Sequence, residues 1–92
     1  MATACNSVSL TTTVITLFDP SVDGRATSFS ITNRIGSAGN VLVNVAGIHK
    51  AGDYRGIAPG LDKAFVNASG GIGIVTAKSD STAMADCGVD RV

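Results

Sequence analysis

Short runs of branched side chains, broken about every ten residues by Gly, Pro, Asn or Asp, constrain this chain more than any other feature. Val, Ile and Thr number 26 among the 92 residues, while Glu, Gln and Trp are absent. A branched Cβ crowds a helical turn and suits a pleated strand. The expected fold is therefore all-β. Val8 to Phe18 begins with alternation (Val8, Leu10, Val14 and Phe18 on one face), but Ile15 and Leu17 make both faces apolar near its end. That break predicts a kink, a bulge, or a strand passing from one sheet to another.

Asp19-Pro20 and Asp23-Gly24 mark a turn. Ala26 to Thr32 alternates most regularly, with Phe29 and Ile31 inward, and Asn33 to Asn40 is expected to be a hairpin-type loop. Val41, Val43 and Val45 line one face of the next strand. Ile48 to Gly56 is polar and reads as an excursion across one end of the fold. Leu61 to Asn67 reads as a strand, and Ser69-Gly70-Gly71 as a tight turn. Ile72 to Ala77 is again a strand. In Thr82 to Val89 the inward set is either Ala83, Ala85, Cys87 and Val89 or, one residue slipped, a set with Met84. The pattern predicts a small antiparallel β-sandwich or jelly-roll-like barrel of six or seven strands. It forms one domain, 8–92, behind an N-terminal arm, 1–7.

Seven Lys and Arg balance seven Asp. A neutral chain has no long-range attraction for nucleic acid or an acidic membrane surface, so neither is an expected partner. No apolar run approaches the roughly 18 residues of a membrane-spanning helix. Met1 to Asn6 does not read as a secretory signal, so synthesis in a cytoplasm is expected. Cys5 and Cys87 lie outside any CxxC, and two readings stay open: free thiols, as reducing cytoplasm favours, or a bridge between neighbouring first and last strands.

The residues offer little for catalysis. No Ser sits in a Gly-x-Ser-x-Gly elbow, and the single His49 completes neither a zinc site nor a Cys-His pair by spacing. Asp19, Asp23 and Gly24 lack the closing carboxylate of a calcium loop. Gly70 to Gly73 has no following helix to cradle a phosphate. The reading is a non-enzymatic protein with no cofactor and no metal.

The order Ser28-Phe29-Ser30-Ile31-Thr32-Asn33, Gly36-Ser37, Val41 to Val45, Ile57-Ala58-Pro59-Gly60 and Gly71-Ile72 to Lys78 resembles small β-sandwich virion proteins of tailed bacteriophages. The likeness covers Ala26 to Val89, and the chain departs from it in the Arg34-Ile35 pair within the Gly-Ser loop and in Cys87. The resemblance implies a capsid decoration or cement protein located in the virion. Its partner would be the major capsid protein or another virion protein, in many copies per particle and with homo-oligomers possible. The alternative is a glycan or receptor binding module of a tail fibre or cell-surface protein.

For the capsid-binding role the candidate contact residues are Arg34, Ile35, Ile48, Tyr54 and Arg55; for glycan binding Tyr54 is the one amphipathic ring. Tyr and Arg are favoured interface anchors, and Ile35 is an apolar side chain on a turn. Ile35 and Tyr54 can instead simply cap the core, and Arg34 and Arg55 can be solvated loop charges.

Overall fold

Alternating burial sorts the strands into two layers. The computed structural model describes residues 2 to 91, with side-chain surroundings for residues 7 to 90. Eight strands are present among them: β1 (Ala2–Leu10), β2 (Ile15–Phe18), β3 (Ala26–Asn33), β4 (Val41–Val45), β5 (Arg55–Ile57), β6 (Asp62–Val66), β7 (Val75–Ser79) and β8 (Ala83–Arg91). One sheet has the order β1-β8-β3-β6 and the other β2-β7-β4-β5. All ladders are antiparallel.

The pairs β1·β8, β2·β7, β3·β6 and β4·β5 are nested, as if one long hairpin had been folded over itself. The ladders β3·β8 and β4·β7 then join this ribbon into two sheets. Only the β4–β5 connection stays within a sheet; every other connection crosses to the opposite layer. This is the wrapping of a two-sheet jelly roll.

The break read at Ile15 and Leu17 is the point where the chain changes sheet, from Leu10 in one layer to Ile15 in the other. Between Thr16 and Phe18 the β2–β7 register shifts, so Leu17 and Phe18 are both buried. Val14, placed inward by strict alternation, is exposed in the connection. Phe29 and Ile31 from β3, Val41, Val43 and Val45 from β4, and Val75 and Ala77 from β7 fill the core. Phe18 and Phe29 meet across it with ring centroids 6.3 Å apart at 49°. Truncating either ring would cost about 3–5 kcal/mol. In β8 the buried set is Ala83, Ala85, Cys87 and Val89, with Met84 on the outer face, which fixes the register the alternation left open.

The strand number is eight rather than six or seven for two reasons. The Val8–Phe18 run divides at the sheet crossing. Arg55-Gly56-Ile57, too short to show alternation, forms an edge strand beside β4. The boundary expected at residue 8 is absent from the backbone: residues 2 to 7 belong to β1, whose ladder with β8 starts at Ala2 opposite Val89. Residues 2 to 7 carry no large aliphatic or aromatic side chain, which is why this stretch read as an arm. Cys87 is disulfide-bonded, and its partner across the β1–β8 ladder is Cys5, the chain's other cysteine. Closing a loop of this length stabilises by about 4 kcal/mol.

Asp19-Pro20 opens a single helical turn, α1 (Pro20–Asp23). Asp19 Oδ1 accepts from the Ser21 N–H at 2.9 Å, and Asp23 Oδ2 accepts from the Asp19 N–H at 2.9 Å, so both carboxylates are engaged in holding the turn. The loop over 34–40 is not a hairpin, because β3 and β4 lie in different sheets. Turn-forming residues reverse the chain locally but do not decide which sheet receives the next strand. The same holds for the Gly-rich stretch between β6 and β7. There Gly73 lies so close to Ala46 that a Cβ would meet the Ala46 carbonyl oxygen at 2.7 Å.

Candidate interaction surface

Because the connections alternate between layers, the loops gather at two opposite ends. At the first end lie the segments 11–14, 34–40, 58–61 and 80–82; at the second lie 19–25, 46–54 and 67–74. The five candidate residues are thereby divided. Arg34 and Ile35 belong to the first end, and Ile48, Tyr54 and Arg55 to the second.

Asn33, the last residue of β3, organises the first end. It is fully buried, and its Nδ2 donates to the Gly39 carbonyl at 3.1 Å and the Ile57 carbonyl at 2.9 Å. Its backbone N–H donates to the Leu61 carbonyl at 2.9 Å, and its carbonyl accepts from the Gly60 N–H at 2.8 Å. The side chain of one residue, with its own main-chain N–H and C=O, therefore ties the 34–40 and 58–61 loops to the sheet. The Arg34 N–H donates to the Met84 carbonyl at 2.9 Å, the Met84 N–H donates to Ser37 Oγ at 3.1 Å, and the Gly39 N–H donates to the Thr82 carbonyl at 2.8 Å. These bonds fasten the same loop to the start of β8.

On this framework Ile35 stands 89% exposed, with Leu61 at 58% and Met84 partly exposed. A shallow depression of about 500 Å³ runs beside it, lined among others by Ser9, Ile35, Ala38, Thr82 and Met84. Arg34 forms its polar rim. The Arg34 guanidinium grips Asp86 through Nε to Oδ2 at 2.7 Å and Nη2 to Oδ1 at 3.0 Å, and Asp86 Oδ1 also accepts from the Ser7 N–H at 2.8 Å. The hydrogen bond from Arg34, followed by that from Ser7, holds the Asp86 carboxyl below the ordinary carboxylate value, and the same pairing raises Arg34.

The second end uses its polar side chains on itself. Asn44 Nδ2 donates to the carbonyls of Lys50 at 2.6 Å and Asp53 at 3.0 Å, folding the 46–54 excursion back over the sheet. His49 Nδ1 accepts from the Val45 N–H at 3.1 Å, and its ring meets Phe65 edge-on with centroids 5.2 Å apart. Loss of hydration, with the nearby Arg55 charge, pushes the His49 pKa down. Tyr54 is half-buried: its hydroxyl lies 3.4 Å from Thr76 Oγ1, and the Lys78 ammonium sits 4.8 Å over its ring. Arg55 pairs with Asp53 at 2.9 Å, and Ile48 is partly exposed.

Asn33, Leu61 and Met84 were not among the sequence candidates. Asn33 carried a usable signal, since a polar residue closing the most regular strand needs partners if its position in the alternation is inward. Among the described residues no three His, Cys or Asp side chains cluster closely enough to hold a metal ion. Among the described residues no helix is long and apolar enough to cross a membrane. Comparison with known proteins finds no matching family model, no matching curated protein and no matching solved structure.

Proposed function

We propose that this protein is a non-enzymatic structural component of a virus particle, a decoration or cement protein whose first loop end seats on the head shell. The observation that carries the reading is Ile35, 89% exposed at the tip of a loop that Asn33 and Met84 hold in place. A large apolar side chain on a fixed turn is a ready anchor, because little conformational freedom is lost when a partner covers it. Leu61 and Met84 extend the apolar surface, and Arg34 supplies a polar rim. Two-sheet jelly rolls also recur in viral capsid and lectin domains, an analogy at the level of fold. A shell presents many copies of one site, so modest single contacts accumulate.

In this reading the disulfide of Cys87 closes outside the reducing host cytoplasm, in the particle or after its release. The glycan-binding alternative needs an open aromatic face, whereas the Tyr54 ring is occupied by Lys78 on one side.

Co-sedimentation with empty capsids tests the proposal. Wild type is expected to pellet with the shells and Ile35→Asp to remain in the supernatant with its melting temperature unchanged. If Ile35→Asp decorates as fully as wild type, or wild type does not bind, the proposed seat is wrong.

A further inference from the structure

The two sheets leave four strand edges, and three of them are blunted. Edge β1 carries register shifts between Ala2 and Cys5 and between Cys5 and Val8, with Ser7 at φ 54°. Edge β2 has four residues and a shift between Thr16 and Phe18. Edge β5 has only three residues. Bulges and shortness are the usual means of keeping an edge from pairing with another chain. Edge β6 has neither. Its five residues run in unbroken register along β3, from Ser28 opposite Val66 to Thr32 opposite Asp62, and Val66 is 66% exposed.

We propose that the free edge of β6 pairs antiparallel with β6 of a second copy of this chain, centred on Ala64. An antiparallel pair about a two-fold axis normal to the sheet keeps like faces together, so the residue on the axis sets the register. Lys63 on the axis would face its own copy, as would Asp62, and like charges placed directly opposite are unfavourable. Ala64 is the middle residue of 62–66, so only that centre uses the whole strand. It places Asp62 opposite Val66 and Lys63 opposite Phe65.

The only blunting on this edge is charge, from Asp62 and above all from Lys63. In this register its ammonium lies along the Phe65 ring of the second copy, where cation–π attraction offsets its cost. The bulged β1 at the far side of the same sheet stops further growth, so the association closes at two copies. A ladder this short buries less than a stable dimer needs, and pairing is weak in free solution but reinforced wherever copies are held side by side. The proposal does not depend on what larger assembly, if any, the protein joins.

Sedimentation equilibrium on the full chain with its disulfide intact tests it. The apparent mass is expected to rise from 9.2 kDa toward twice that value as concentration approaches about 1 mM. Ala64→Lys, whose new side chain lies on the exposed outer face opposite Ser30, should weaken the dimer at least tenfold while the circular dichroism spectrum and melting temperature stay as in wild type.

Ala64→Cys reads the register. Residues directly opposite in an antiparallel ladder have Cα atoms about 4.5–5.5 Å apart, within disulfide reach. Mild oxidation should therefore give a covalent dimer from Ala64→Cys and none from Val66→Cys. Wild type remaining monomeric throughout, Ala64→Lys dimerising as wild type does, or the two cysteine variants cross-linking equally would each overturn the proposal.

Discussion

The two ends of the sandwich are built from similar residues and put to opposite uses. Both carry an Asn that donates to two main-chain carbonyls, Asn33 to Gly39 and Ile57 at one end and Asn44 to Lys50 and Asp53 at the other. At the first end this clamp pushes an apolar tip, Ile35, out into solvent. At the second it draws His49 and Tyr54 down against Phe65, Thr76 and Lys78. Residue type therefore does not tell whether a loop side chain is available to a partner. The direction in which the anchored loop is folded does.

The comparison breaks most visibly at the clamps. Asn33→Ala leaves the Gly39 and Ile57 carbonyls without their donor in a fully buried setting and should cost about 2–4 kcal/mol in urea unfolding. Loss of the Ile35 platform should accompany it, seen as faster amide exchange over 34–40. Asn44→Ala is nearer to solvent and should cost about 1–2 kcal/mol, with exchange rising over 46–54 and not at the other end. An equal cost at both sites, or exchange rising at both ends in either variant, would erase the distinction.

Acid sharpens the comparison further. The folded pKa of His49 lies below its ordinary 6.5, so below that pH the unfolded chain takes up a proton that the folded chain resists. Stability is complete above pH 6.5 and declines as pH falls from there to the depressed folded value. His49→Gln should remove this slope in urea titrations between pH 7 and 5. A slope that persists in the variant would assign it to other groups.

The smallest effect belongs to the first end. Asp86 has a lowered folded pKa, so its contribution is present above the ordinary 3.8 and disappears as pH falls through the folded value. Arg34→Ala should bring the Asp86 carboxyl back toward 3.8 in an NMR titration, with little change in stability because the pair is exposed.

Much of the sandwich was legible where one face of a strand is buried and the other is wet. Phe29 and Ile31, and Val41 with Val43 and Val45, show this directly. The sheet crossing before Ile15 was legible for the opposite reason, as two successive apolar faces. The edges were not. Arg55-Gly56-Ile57 is too short for a period, and residues 2 to 7 carry no large aliphatic or aromatic side chain from which a buried face could be read.

The candidate site was half legible. Ile35 stood out as an apolar residue among turn formers, but that Arg34 is committed to Asp86, 52 positions away in the chain, depends on a pairing no local pattern encodes. Tyr54 reads by type as an anchor, and no local pattern shows its contacts with Thr76 and Lys78 on the same sheet.

The nested ladders also order events in time. Closing β4 on β5 spans a short loop, whereas β1 must find β8 across almost the whole polypeptide, and long closures are entropically slow. A ribosome that has released everything up to β7 still holds back the neighbour that β1 requires, so the outermost ladder and the sulfur link of Cys87 can form only after β8 has emerged. Maturation of this domain is thus gated by its eighth strand, the one that β1 must wait for.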